Sequence, residues 1–516
     1  MIKYLPLLLF FSSVHAQTPD WVKGQGKSPQ YSETIFLTGY GVATTDNGVA
    51  RTQAEESAIA NARKNLVEKI RINIQSVTSS KTEEVGDQYS SFFASAVQST
   101  SSLDIQGLET ASYFDDDTKY VRRTLRASHI AHAFVFVKRE LLQNTYQQKV
   151  TSLKTEIEGK ITLAKSFEQQ SKSTQALEEY LSCYPMARQL EEAQSILTFV
   201  KISNALDELQ QTASTNEVTI AQIRQAVTTL VQRPINTVDD LAWFLIYQLK
   251  EQTGSKESER LSVLATPLVY QDTKMGSSFS RYFQQVMEQK LREVAKWDAV
   301  QQASAPFVVS GSYWEQNNNV KFIVNVRNVK DGRIIASAEA TVPSTVIALA
   351  NRSLTPENYK SALADQKVFA SNEIAGGGLT LESWTSKETQ GNLFSEGEKM
   401  KVLVRINMPC YIRFIYHMAD GKRVLLLNEY FMDASKVNVV YEIPQDFECA
   451  APFGSEVLQI FARTDKFEQI QTLNKDGYEY LKEDLKNFVV TTRGMKTAKP
   501  KTMQTEQRIT ITTMKD

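Results

Sequence analysis

Hydrophobic periodicity changes character along this chain of 516 residues, and each change limits the layers that stretch can build. Apolar positions first recur every four residues beside short β-rich runs, then at helical spacing alone. They mix again further on, and from about residue 379 they recur at a spacing of two. A period near 3.6 buries one stripe of a helix, and a period of two buries one face of a sheet. Patterns this different are expected to need more than one core. At roughly 150 residues per domain, the length itself allows about three or four.

The first sixteen residues read as a secretory signal. Lys3 supplies positive charge, and residues 4–14 form an apolar run too short to span a bilayer. Val14-His15-Ala16 then sets small residues before the expected cleavage between Ala16 and Gln17. No Cys follows that could carry a lipid, and no later run reaches about eighteen apolar residues. The mature chain is therefore expected to be exported without a transmembrane span.

Residues 17–140 are expected to form an α+β domain. It comprises a strand at 34–38, a tight turn at Gly39-Tyr40-Gly41 and a helix over 52–70. Ala54, Ala58, Ala62 and Leu66 form a stripe on that helix, small enough to lie close against a sheet. Strands are expected at 72–77, 103–114, 120–126 and 131–137, with Asp115-Asp116-Asp117 at a hairpin tip. Residues 141–257 read as a helical spacer, with helices near 174–183, 185–208, 219–231 and 238–250 and a polar linker at 252–260.

A small α/β domain is expected over 258–350. Its pattern is a strand at 261–269, a helix at 277–294 and strands at 307–314, 320–329 and 334–342, the last two joined through Asp331-Gly332. A linker over 351–378 ends in Gly376-Gly377-Gly378. Residues 379–516 alternate as short strands, at 401–406, 410–416, 423–427, 437–443, 457–462 and 508–513, with a hairpin tip at Asp420-Gly421. That spacing predicts an all-β, immunoglobulin-like sandwich. The fold class expected is multidomain α+β.

The chemistry is sparse. A formal net charge of −1 provides no basic field for nucleic acid, and four histidines and three cysteines leave few ligands or nucleophiles. Gly39-x-Gly41 lacks the third glycine of a dinucleotide fingerprint, since position 44 is Thr. His129 and His132 fall on opposite faces of a strand, a poor arrangement for one metal. Asp115–Asp117 lacks the Gly and Glu of a calcium loop, and His417 beside a hairpin tip reads as a surface residue. No metalloprotease, P-loop or nucleophile-elbow motif occurs. No catalytic, cofactor-binding or metal-ligating residue is therefore assigned, and the chain is not expected to be an enzyme. In an oxidising compartment Cys410 and Cys449 can pair in their shared β-rich region, or stay two buried thiols; Cys183 reads as core.

Three stretches carry family resemblances. Pro19-x-Trp21, residues 36–43 (FLTGYGVA) and the alanine helix resemble the Lpp-twenty lipoproteins and the amino-terminal domain of the flagellar protein FlgT. Ala265-Thr266-Pro267-Leu268, the helix from Ser277, Trp297-Asp298-Ala299-Val300, residues 307–312 and Lys330-Asp331-Gly332 resemble the CsgG, FlgO and TolB amino-terminal group of envelope domains. Phe394-Ser395-Glu396-Gly397-Glu398, Cys410-Tyr411-Ile412, Leu425-Leu426-Leu427-Asn428, Pro452-Phe453-Gly454-Ser455-Glu456 and Thr491-Thr492-Arg493-Gly494 resemble a bacterial domain of unknown function appended to envelope proteins. These resemblances imply assembly and interaction modules without a catalytic motif. The function expected is that of a non-catalytic, exported, periplasmic or outer-membrane-associated protein, acting as scaffold or accessory factor for envelope proteins through protein–protein interaction. The alternative is a periplasmic sensory or ligand-binding protein that recognises a small molecule or glycan.

Overall fold

The structure, a computed structural model, describes residues 18–45, 51–85, 107–121, 124–201, 205–231, 234–253, 261–271, 273–300, 305–330, 332–370, 378–388, 391–475, 477–482 and 502–515. The expected cleavage site at Ala16 and Gln17, most of the 252–260 linker and Gly376-Gly377 lie outside these residues.

The chain opens with the short helix α1 (Asp20–Lys23), strand β1 (Phe36–Thr45), helix α2 (Arg51–Val85), and strands β2 (Glu109–Val121) and β3 (Thr124–Lys138). The strands form an antiparallel sheet in the order β1-β3-β2. The alanine stripe performs as expected: Ala54, Ala58, Ala62 and Leu66 are all buried against Leu37, Ala43, Ala131, Ala133 and Val135. Gly39 and Gly41 are not a turn but lie within β1. A Cβ on Gly39 would stand 2.1 Å from the Ala62 carbonyl, and one on Gly41 would stand 2.3 Å from that of Ala58. The glycines therefore admit the helix backbone to the sheet.

Two further expectations change here. Residues 72–77 continue α2 instead of forming a strand, because no Gly or Pro interrupts 51–85 and β-branched residues lower helix propensity only slightly. Asp115–Asp117 lie inside β2, opposite Ile130, His129 and Ser128; the strands meet where Val121 pairs with Thr124.

Helices α3 (Arg139–Gln169), α4 (Ser173–Val200), α5 (Ala205–Val231) and α6 (Val238–Thr253) follow. Pro185 was expected to separate two helices but sits inside α4. Proline removes one backbone hydrogen bond and crowds the preceding turn. Burial of Leu181, Cys183, Tyr184, Ala187 and Arg188 around it offsets that cost.

A mixed six-stranded sheet comes next, built from β4 (Ser262–Ala265), β5 (Val269–Tyr270), β6 (Asp298–Val300), β7 (Phe307–Gln316), β8 (Asn319–Asn328) and β9 (Ile334–Pro343). Its order is β6-β4-β7-β8-β9, with β5 on β7. Helix α7 (Ser278–Lys290) starts at a Ser277–Ser280 capping box and packs Phe279 edge-on against Tyr313 and Phe283 tilted against Phe322. The short helix α8 (Ser344–Ala348) and α9 (Tyr359–Ala370) lead out of this unit.

The preceding helices are joined to this sheet at its far edge. Gln252 Nε2 donates to the Ser337 carbonyl at 2.6 Å, and its Oε1 accepts the Ser337 N–H at 2.9 Å. One turn earlier, Gln248 makes the same pair of bonds with Glu339, at 3.2 and 3.4 Å. Two side-chain amides at i and i+4 on α6 thus satisfy alternate residues of β9 as a neighbouring strand would. Behind them Glu339, fully buried, takes ion pairs from Arg188 at 2.5 Å, from Lys321 at 3.4 Å and from Arg224.

The remaining strands are β10 (Leu381–Thr385), β11 (Leu393–Ser395), β12 (Lys399–Met400), β13 (Val402–Ile406), β14 (Cys410–His417), β15 (Arg423–Met432), β16 (Tyr441–Glu442), β17 (Phe447–Glu448), β18 (Gly454–Arg463), β19 (Thr472–Lys475), β20 (Tyr478–Leu481) and β21 (Gln504–Met514). Seven of them make one sheet, β11-β21-β18-β14-β15-β20-β19; β10-β13-β16 make a second, and β12-β17 a ribbon. Ile412, Phe414, Leu458 and Ile460 of the large sheet share a core with Val402, Val404 and Ile406 of the smaller one. An immunoglobulin-like arrangement is not confirmed: β11 runs parallel to β21 at one edge, and of 437–443 only Tyr441–Glu442 forms a strand, with Val437 making an isolated bridge to Ile406. The architecture is multidomain α+β, with mixed and antiparallel sheets and nine helices among the described residues.

The first and last units also touch. Trp21, Tyr40, Val42 and Phe134 join the carboxy-terminal core. Asn407 Nδ2 donates to the Val42 carbonyl at 2.6 Å and to that of Gly378 at 2.8 Å. Asn358 reaches Ser455 through both amide atoms, at 2.6 and 2.8 Å. Arg281 reaches Ser395, so the middle unit is tied in as well.

Candidate functional site

The residues singled out by sequence do not converge. Cys183, Cys410 and Cys449 are free and buried, so the pairing of Cys410 with Cys449 is not formed. Cys410 packs in the apolar core between the sheets, and burial pushes its thiol up to about 12. Burial, reinforced by the charges of Glu456, Glu398 and Glu396, puts Cys449 at about 11, and Cys449 Sγ faces the Phe394 carbonyl at 3.7 Å. Both thiols stay protonated and poorly nucleophilic at neutral pH.

His132 is buried, and its Nδ1 lies 2.7 Å from the Tyr40 hydroxyl. His417 is not at the surface. Its strand carries it under cover, where Nε2 lies 2.9 Å from Gln459 Oε1 and burial lowers its pKa to about 3. Among the described residues no group of three His, Cys, Asp or Glu side chains is placed to hold a metal ion, and no helix is long and apolar enough to cross a membrane.

A site does form where the sequence assigned none. Along β18, which is buried throughout, Glu456, Leu458, Ile460 and Ala462 share one face. The last three enter the shared apolar core, and the alternation of a strand delivers a carboxyl to the same face one step further on. Beside it, β14 brings Tyr416 two residues past Phe414, and β21 brings Thr513 two residues past Ile511. Around these groups lies a cavity of about 410 Å³ between the large sheet, the β12–β17 ribbon and the β19–β20 hairpin. That volume falls within the range of small-molecule pockets.

Glu456 is 3% exposed and fully engaged. Its Oε2 accepts from the Tyr416 hydroxyl at 2.6 Å and from Thr513 at 3.1 Å; its Oε1 accepts the Ala419 N–H at 3.0 Å. Burial is the largest influence on this carboxyl and raises it; the three hydrogen bonds oppose burial, the Asp420 charge adds to it, and the result is about 7. Thr513 has one hydroxyl proton and two acceptors, Glu456 Oε2 and the Gly454 carbonyl at 3.2 Å. When Glu456 is protonated, its own proton can bridge to Thr513, which then donates to Gly454. The cavity can therefore exchange a proton near neutral pH without losing its hydrogen bonds.

Phe394, Met400, Phe447 and Ile511 supply apolar wall, and the exposed Asp446, Glu448 and Glu479 stand at the rim. Among the described residues that line it, none is Lys, Arg or His; Lys399 reaches Asp446 at 3.9 Å from outside the lining. In the sequence, Glu456 stands at the end of the family-like motif Pro452–Glu456 with no role assigned to it. The available signal was an acid at an inward position of an otherwise apolar alternating stripe.

No family model matches the chain, and no curated protein matches it. Among solved structures it is similar to the LpoB C-terminal domain from Salmonella enterica, at 14% identity and a TM-score of 0.16, over 20% of this chain and 98% of that one. It is also similar to the secreted protein HP1454 from Helicobacter pylori, at 8% identity and a TM-score of 0.16, over 65% of this chain and 97% of that one. At that TM-score neither likeness carries an argument about fold or activity.

Proposed function

We propose that this chain is an exported, non-catalytic component of a bacterial cell envelope that acts as a scaffold or accessory factor through protein–protein interaction. The observation that carries the reading is the bracing of its units against one another. Asn407 ties the last unit to β1, Asn358 ties α9's start to β18, and Gln248 and Gln252 tie α6 to β9. Units held in this way present their remaining strand edges at set distances. Among the described residues β2 ends the first sheet and β19 ends the largest, with Leu473 of β19 exposed. Edges of that kind receive partners by strand addition.

Fractionation and cross-linking of the full chain in bacterial cells test the proposal. The expected result is a product cleaved after Ala16, recovered with the envelope and cross-linked to a discrete protein partner. Recovery in the cytoplasm with residues 1–16 intact would overturn the export part. Turnover on a hydrolase panel, abolished by one polar substitution, would overturn the non-catalytic part.

A further inference from the structure

We infer that the cavity beneath the β19–β20 hairpin binds a small organic cation, an apolar body carrying an ammonium group, with the ammonium on Glu456. This goes beyond the scaffold reading and does not depend on it. Four features select the ligand class. The volume of about 410 Å³ admits a compact ligand, and the walls from Phe394, Met400, Phe447 and Ile511 favour an apolar body. Every ionisable group among the described lining residues is a carboxylic acid, a thiol or a phenol, and Lys399, outside that lining, reaches only the rim acid Asp446. The rim acids Asp446, Glu448 and Glu479 would draw cations towards the mouth and repel anions. Inside, the groups that face the ligand space around Glu456 can accept hydrogen bonds from an ammonium: its carboxylate and the Thr513 hydroxyl.

The proton accounting is specific. The titratable groups facing Glu456 are Tyr416 from β14, Asp420 from the turn that follows it and Cys449 beside β17. Burial keeps Tyr416 and Cys449 protonated; for Asp420 burial is the largest single influence and raises it, but the hydrogen bonds and charge of Lys422 together outweigh burial and hold it in its charged form. Glu456 is thus the group that exchanges a proton near neutrality. An ammonium ligand takes the carboxylate form, so binding near pH 7 should release about half a proton per ligand.

The test is calorimetric titration of the full-length mature protein with three probes of one shape: phenethylammonium, phenethyl alcohol and hydrocinnamate. Titrations run in two buffers of different ionisation enthalpy. Phenethylammonium should bind with the stated proton release, phenethyl alcohol about tenfold or more weakly with none, and hydrocinnamate not at all. Glu456→Gln should erase the preference for the ammonium while leaving the alcohol's affinity unchanged. Met400→Trp, which fills the wall, should abolish binding of both, with circular dichroism confirming that each variant folds. Equal binding of alcohol and ammonium, binding without proton release, preference for the carboxylate, or no binding of any probe at millimolar concentration would each overturn the inference.

Discussion

Replacing Glu456 by Gln should flatten the pH dependence of stability across the neutral range. The carboxyl has an ordinary value of 4.5 and a folded value of about 7. Over that window the folded protein keeps a proton that the unfolded chain has lost, so unfolding releases it and stability falls as pH rises. The contribution is complete below about 4.5 and gone above about 7. At about 1.4 kcal/mol per pH unit the gap is worth about 3 kcal/mol, of which about 2.5 kcal/mol falls between about pH 5 and about pH 8. Glutamine is a neutral stand-in of the same shape. Its Oε1 can keep the Ala419 N–H, and its amide can donate to the Tyr416 and Thr513 hydroxyls, with Thr513 turned to Gly454. Urea unfolding of both proteins, at matched ionic strength and several pH values, reads the effect. The difference in unfolding free energy should move by about 2.5 kcal/mol in favour of the variant as pH rises. A difference constant to about 0.5 kcal/mol across that range would refute the claim that this carboxyl carries a proton in the folded cavity.

Three further outcomes follow from the packing. Burial alone would raise the Glu339 carboxyl, but the charges of Lys321, Arg224 and Arg188 outweigh it and hold it at about 2. Its contribution is present above 4.5 and lost as pH falls towards 2, so wild type should loosen at β9 and α6 in acid. Glu339→Gln, which strands those cations, should lose about 3–5 kcal/mol at neutral pH, seen as faster hydrogen exchange at both elements. Gly41→Val should lower the melting temperature through a loss of about 1–3 kcal/mol, because even its Cβ would stand 2.3 Å from the Ala58 carbonyl. An unchanged melting temperature for Gly41→Ala would show that the helix does not lie as close to β1 as described.

Much of the element order was legible because local patterns are enough to state it. The stripe from Ala54 to Leu66 named both the helix and its tight approach, and the alternation across 320–329 and 334–342 named β8 and β9 to within about a residue. Local rules failed where a distant partner decided. Asp115–Asp117 look like a turn, yet β3 supplies a ladder for them. Pro185 looks like a break, yet the packing around it carries the helix through. His417 looks exposed because a hairpin follows, but its strand buries it beside Gln459.

The candidate site shows the same division. Alternation along β18 already placed Glu456 on the face of Leu458 and Ile460, so the chain itself determined that an acid would share that apolar face. Whether that acid would be neutralised, paired or left beside a cavity depended on Tyr416, Thr513 and the Ala419 amide. These come from two other strands and a turn, 40, 57 and 37 residues away. Likewise the i, i+4 glutamines of α6 are ordinary polar helix residues until β9 arrives beside them. Periodicity reports which side of an element is buried, since that depends on the backbone's own geometry. What the buried side meets depends on contacts between segments far apart in the chain, and only the assembled tertiary structure sets those.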